Sequence, residues 1–287
     1  MKGHGVSPTL QKSVFEAAAK FFALPPDVKL RLDARKTVGF RGYDVMGTQS
    51  YEPDGSDAPR DIKEGFFAST DLPLDHPRVV NGRFLQGPNV WPPADMLAHD
   101  EFRAPVEEYY KEMLRLSYVV LDIVAATLPH GPKVFDELKA HDPVWLMRLL
   151  HYPPTPAQTG NSKLQLGSGE HTDFGAITLL MQDEHPGLEV QDHETGQWVG
   201  VPPNKDVYVV NMGDIVSLLT GDKYKSSVHR VWNKNTEDRY SVVFFFDGNL
   251  DYKIRKLGSH DKEATEAPTV EEHIKHRMTS SYGEQSN

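Results

Sequence analysis

From Pro143 onward the chain is a succession of short apolar runs: VWLMRLLHY, AITLLMQ, GLEVQD, VYVVNMGD, SSVHRVW and RYSVVFFF. Turn-forming residues close each run. Short strands recurring at this spacing predict a β-sandwich or barrel. No other feature narrows the fold as much. Residues upstream read differently. Ser7 to Ala23 has apolar residues at helical spacing, with Ser7 as N-cap and Pro8 at the first helical position. Pro25-Pro26 stops that run, and a short helix is expected over Asp27–Asp33. Residues 36–62 read as a long loop with short strands, Lys63–Ser69 as a strand, and residues 70–100 as irregular. Glu101–Leu128 carries an apolar stripe near a 3.6-residue period, which predicts a scaffold helix packed on a sheet. A short helix is expected to follow, ending near His141.

The expected architecture is therefore mainly β with flanking helices, an α+β chain. It divides into an N-terminal helical and irregular region (1–100), scaffold helices (101–142), a β core (143–250) and a polar C-terminal segment (251–287). A helix is expected within that last segment at Val270–Tyr282.

Composition removes whole classes of chemistry. The 287 residues include no cysteine. Disulfides, thiol nucleophiles, zinc-thiolate sites and iron–sulfur clusters are excluded. Any metal must sit among His, Asp and Glu. The balance of 31 Lys and Arg against 41 Asp and Glu, a net charge of −10, argues against a nucleic-acid partner. The N-terminus lacks the apolar run of a signal peptide, and no stretch reaches the length of a membrane span. The expected location is cytoplasmic.

Two short motifs within the β region stand out. In GEHTDFG, His171 and Asp173 are two residues apart, and in a strand such residues point to one face. His229 lies in SSVHRVW. Together they compose a set of two His and one carboxylate. Such a set covers one face of an octahedron and leaves positions open, as in non-haem Fe(II) oxygenases. Arg239 and Ser241 open the strand RYSVVFFF on a common face. A guanidinium fork beside a hydroxyl suits one end of a dicarboxylate.

These residues resemble a known family. GEHTDFGAITLL, VNMGDIVSLLTGDKYKSSVHRV and RYSVVFFF, in this order, are similar to the isopenicillin-N-synthase-like 2-oxoglutarate/Fe(II)-dependent dioxygenases. MRLLHYPP and the opening GHGVS fit the same family. The resemblance implies a distorted double-stranded β-helix, or jelly roll. It implies Fe(II) held by His171, Asp173 and His229. It further implies 2-oxoglutarate held by Arg239 and Ser241 with Tyr152 hydrogen-bonded to it, and O2 as the oxidant. The implied activity is oxidation, most simply hydroxylation, of a C–H bond of a small organic molecule, with release of succinate and CO2. Two departures stand out. The family often has Asn two residues before the Tyr, where this chain has Leu150. The family also has several tens of residues before GHG, so the chain looks short at its start.

Strand alternation places Arg148, Leu150 and Tyr152 on one face, and Phe245 on that of Arg239 and Ser241. Arg148, Phe174 and Phe245 are accordingly the candidate substrate contacts, with Arg41 and Tyr43 as lid candidates. An aromatic wall with one cation suits a flat, polar or acidic molecule. His151 alternates away from Tyr152 and is not nominated. His4 reads as a turn-stabilising residue, and the remaining His, among them His185, His260 and His273, as solvent-facing. Two other readings stay open at this point: an Fe(II) oxidase of the same fold that does not use 2-oxoglutarate, and a truncated binding protein without catalysis.

Overall fold

The structure is a computed structural model describing residues 1–51, 60–155, 164–259 and 267–282. His260 and part of the expected 36–62 loop lie outside the described residues. Among the described residues, ten strands form two antiparallel sheets. One sheet has six strands in the order β1 (Gly42–Asp44), β2 (Glu64–Ala68), β3 (Val144–Tyr152), β10 (Arg239–Gly248), β5 (Ile177–Gln182) and β8 (Val209–Met212). The other has four in the order β4 (Ser168–His171), β9 (His229–Val231), β6 (Leu188–Gln191) and β7 (Trp198–Gly200).

β10 lies at the centre of the larger sheet, paired with β3 on one side and β5 on the other. Its run of β-branched and aromatic residues suits a strand covered on both faces. Alternation then splits its side chains. Val242, Phe244 and Phe246 join the core beneath the helices, with Trp145, Met147 and Leu149 of β3. Val243 joins Leu150, Tyr152, Leu188 and Val231 in a smaller apolar cluster between the sheets. The inner face of the sandwich is thus also the face of Arg239, Ser241 and Phe245.

The outer face is covered by α1 (Pro8–Phe22) and α4 (Arg103–Ala126), which pack on each other and on β10. α4 buries Val106, Tyr109, Met113, Leu116, Val120 and Val124, the stripe expected from its sequence. Pro8 starts α1 as anticipated, but the Ser7 side chain makes no capping hydrogen bond. The second helix, α2, spans Pro26–Leu30. The irregular 70–100 stretch includes one turn of helix, α3 (Pro77–Val80), and α5 (Asp136–Lys139) precedes the β core. Helix α6 (Asp214–Thr220) was not anticipated, nor was β7.

The last helix, α7 (Val270–Tyr282), matches its expected span. It is no detached tail. It folds back over the open end of the sandwich, where Ile274, Met278 and Tyr282 form part of a cavity wall. Arg277 donates to Asp214 Oδ2 and, at 3.1 Å, to Thr172 Oγ1, and the Tyr282 hydroxyl lies 3.3 Å from Asp44 Oδ2.

Candidate active site

β4 and β9 pair so that His171 and His229 are direct cross-strand neighbours. Their ring centroids are 4.2 Å apart. β4 ends at His171, so Asp173 lies just past the strand and not within it, as simple alternation had assumed. Its position is set by a turn contact instead. The Asp214 N–H donates to the Asp173 carbonyl at 2.9 Å and the Ile215 N–H to the Gly175 carbonyl at 3.1 Å. A Cβ at Gly213 would stand 2.1 Å from Gly175 O, so only glycine permits this approach of the two turns. The result is convergence: one ligand atom each from His171, Asp173 and His229 lies within 4.8 Å of the others.

The orientation of each ligand is also set. His171 Nδ1 lies 2.7 Å from Gly169 O and His229 Nδ1 lies 3.0 Å from Ser227 O. Each Nδ1–H donates to a carbonyl, which turns Nε2 and its lone pair toward the common centre. Burial, and then the neighbouring His229, push His171 well below the ordinary histidine range. It is therefore neutral at neutral pH, the state a metal ligand requires. Tyr51 stacks on the His171 ring, with centroids 4.1 Å apart and planes 6° from parallel. Asp173 is 3 % exposed. Its Oδ1 stands 3.7 Å from His229 Nε2, while its Oδ2 accepts a 2.6 Å hydrogen bond from Asn211 Nδ2. Asn211 was missed in the sequence, although it is the Asn of the VNMGD motif.

Arg239 is fully buried. Its Nη2 donates to Gln182 Oε1 at 2.8 Å and its Nε to His185 O at 3.2 Å, and the guanidinium carbon is 5.0 Å from the Tyr152 ring centroid. Arg239 Nη1 and Ser241 Oγ are buried without a hydrogen-bond partner. Two unmet polar groups this deep are costly unless a ligand satisfies them. A carboxylate accepting from both fits. The donors for a metal and for a dicarboxylate are thus both present.

Tyr152, the three converging residues, Arg148, Phe174 and Phe245 all line one cavity with about 220 Å³ of water-accessible space. Arg148 faces it as expected and is at the same time anchored. It donates to Asp44 Oδ2 and, at 2.8 Å, to Gln49 Oε1, lies over the Phe67 ring, and leaves its buried Nε unpaired. Lys63, also in the wall, donates to Asp61 Oδ2 at 2.5 Å and Ser168 Oγ at 3.2 Å. Asp247 closes the end near Gly175. Burial, and then the charge of Asp173, push its carboxyl up to about 8.

Several expectations fail here. Arg41 and Tyr43 are not lid residues. Arg41 is 0 % exposed and donates to Gly39 O and, at 2.6 Å, to Leu85 O, while Tyr43 bonds Glu64 Oε2 at 2.6 Å. Their polar sequence context hid tertiary partners. His273 is not free in solvent, since its Nε2 donates to Phe174 O at 3.1 Å. His185 lies between Asp183 and Glu237, at 3.3 and 3.0 Å. His151 stays outside the cavity, as expected, held between Glu64 and Asp238.

Two family descriptions match the chain: "2OG-Fe(II) oxygenase superfamily" over residues 144–248 and "non-haem dioxygenase in morphine synthesis N-terminal" over residues 1–94. Clavatol oxidase claD of Penicillium crustosum is 64% identical over 290 residues, covering 98% of this chain and 86% of the relative. The chain belongs to the 2OG-Fe(II) oxygenase superfamily. The 2-oxoglutarate-dependent dioxygenase citB of Monascus ruber is 61% identical over 284 residues, covering 98% of this chain and 84% of that protein. A full-length Neurospora crassa protein solved in complex with alpha-KG and thymine superposes with a TM-score of 0.78 at 27% identity, covering 97% of this chain and 86% of that one. As a member of the superfamily, the protein is a 2-oxoglutarate-dependent dioxygenase with a jelly-roll core, and its chemistry uses Fe(II), 2-oxoglutarate and O2.

Proposed function

We propose that His171, Asp173 and His229 hold Fe(II), and that Arg239 and Ser241 hold the distal carboxylate of 2-oxoglutarate with Tyr152 beside it. We further propose that the enzyme hydroxylates a C–H bond of a small organic molecule. The observation that supports this most is the commitment of both Nδ1 atoms to carbonyls, which turns the two Nε2 atoms toward the point that Asp173 also reaches. Iron bound there would supply activation of O2 coupled to conversion of 2-oxoglutarate to succinate and CO2, with the second oxygen atom delivered to substrate. The protein's part is geometric and electrostatic. Three ligands on one side leave the cavity side free. Arg239 Nη1 and Ser241 Oγ gain the acceptor they lack. Phe174 and Phe245 provide an apolar wall that keeps water from the reacting centre. Arg148, with one nitrogen still unpaired, supplies positive charge for an acidic or carbonyl oxygen of the substrate.

The reading extends to setting. High identity to fungal enzymes with such names supports a role in specialised metabolism. Residues 143–250 carry the catalytic core, and 1–100, 101–142 and 251–287 support it. The acidic net charge favours a free small molecule over nucleic acid, and no helix among the described residues is long and apolar enough to cross a membrane.

The test is anaerobic loading with Fe(II) and 2-oxoglutarate, then exposure to O2 with a panel of small aromatic and heterocyclic molecules. Succinate release is expected, and His171→Ala or Asp173→Ala should abolish it with the circular dichroism spectrum unchanged. Iron-loaded protein that forms no charge-transfer absorption with 2-oxoglutarate and no succinate refutes the proposal.

A further inference from the structure

Asp247 is a carboxyl with no assigned task. It is 4 % exposed, yet it lines the cavity and makes no hydrogen bond or ion pair among the described residues. Charged groups buried this far are normally paired. Two features of the backbone keep it there. The pairing of β10 with β3 shifts register between Phe246 and Gly248, which leaves Asp247 without a partner residue on β3. Such irregularities re-aim side chains next to active sites. Opposite it, a Cβ on Gly175 would stand 2.1 Å from Asp247 Oδ1, so the glycine leaves the carboxyl its place.

Its location along the strand is informative. Arg239, Ser241, Val243, Phe245 and Asp247 alternate along β10, and Val243 is paired with Arg148. Asp247 lies four positions beyond Val243, about 13 Å of strand. The backbone positions of Arg148 and Asp247 are therefore displaced from each other along the strand direction, with Phe245 between Val243 and Asp247 on the cavity side of β10. Thr178, directly across from Phe245 on β5, adds a hydroxyl-bearing side chain near the Asp247 end.

We infer that Asp247 is a specificity-determining residue that accepts a hydrogen bond from an O–H or N–H on the edge of the substrate facing away from Arg148. The substrate class is a flat molecule with an acidic or carbonyl oxygen at one edge and a hydrogen-bond donor at the other. A site built to bond a donor rejects the analogue that lacks it, because the buried acceptor is then left unmet. This inference rests on the function proposed above.

The experiment uses the full chain, loaded anaerobically with Fe(II) and 2-oxoglutarate, and two probes: 4-hydroxy-3-methylbenzoate and 3-methylbenzoate, which lacks the hydroxyl altogether. Calorimetry gives the affinity for each, and the charge-transfer absorption confirms loading independently. The phenol is expected to bind about tenfold or more tightly than the deoxy probe to the unaltered protein. Asp247→Leu should bring the two within about twofold, while Asp247→Asn, which keeps an acceptor oxygen, should retain part of the preference. Both variants should load 2-oxoglutarate normally. Equal affinity for the two probes, no binding of either, or a preference that survives Asp247→Leu overturns the inference and leaves the function standing. Failure of the absorption to form in the unaltered protein removes both.

Discussion

Asn211→Ala separates the positioning of Asp173 from the presence of its carboxylate. Asn211 Nδ2 donates to Asp173 Oδ2 at 2.6 Å, while Oδ1 is the oxygen near His229. A hydrogen bond to a charged acceptor contributes about 1.5–3 kcal/mol. Removing it frees the carboxylate to rotate and leaves Oδ2 without its partner in a site that is 3 % exposed. At about 1.4 kcal/mol per factor of ten, Fe(II) binding should weaken roughly 10- to 100-fold. That range agrees with the usual effect of residues behind a metal ligand. Anaerobic competition against a chelator measures it, and saturating iron should restore most of kcat. The iron-free variant should also lose a few degrees in Tm. An iron Kd within about twofold of the unaltered protein, with Tm unchanged, would refute the claim that Asn211 positions Asp173.

Three further outcomes follow from the structure. Arg239→Leu removes the unpaired buried donor, and calorimetry should show 2-oxoglutarate binding weakened by about 100-fold or more while iron binding is retained. Arg41→Met deletes the bonds to Gly39 O and Leu85 O and should cost about 2–4 kcal/mol of stability in denaturant titration, with kcat unchanged for the fraction that folds. His151 titrates above its ordinary value: burial opposes this, but Glu64 and Asp238 outweigh it. Its stabilising contribution is complete below about pH 6.5 and is lost as pH rises through the elevated folded value. Tm should therefore fall over that rise, and His151→Gln should flatten the difference.

Legibility in the sequence followed how local each determinant was. β3, β5, β6, β8, β9 and β10 were visible because each is a compact apolar run closed by a turn signal, and α4 because its stripe extends over many turns. β7 and α6 were not, because WVG and DIVSLLT are too short to show a period. The three converging residues could be named, but the reason Asp173 converges could not. It depends on the approach of Gly213 to Gly175, which joins segments about forty residues apart. Arg41 and His273 were misread for a related reason. Each takes its partners from elsewhere in the chain, so their polar neighbours in sequence carried no information.

The C-terminal helix carries one more consequence. Among the described residues it is held by side chains, through Glu271, His273, Arg277 and Tyr282, and by main-chain bonds from Val270 N to Tyr252 O, Glu271 N to Leu250 O and Ser50 N to Ser281 O. No sheet register depends on it, yet Ile274, Met278 and Tyr282 shape the cavity. The residues that line the chamber can thus vary without altering the pairing of β4 and β9, which carry His171 and His229, provided that His273 and Arg277 keep their bonds to the Thr172–Phe174 turn around Asp173. Substitutions at Ile274, Met278 and Tyr282, on a helix outside both sheets, are therefore the changes that reshape the chamber with least disturbance to the strands.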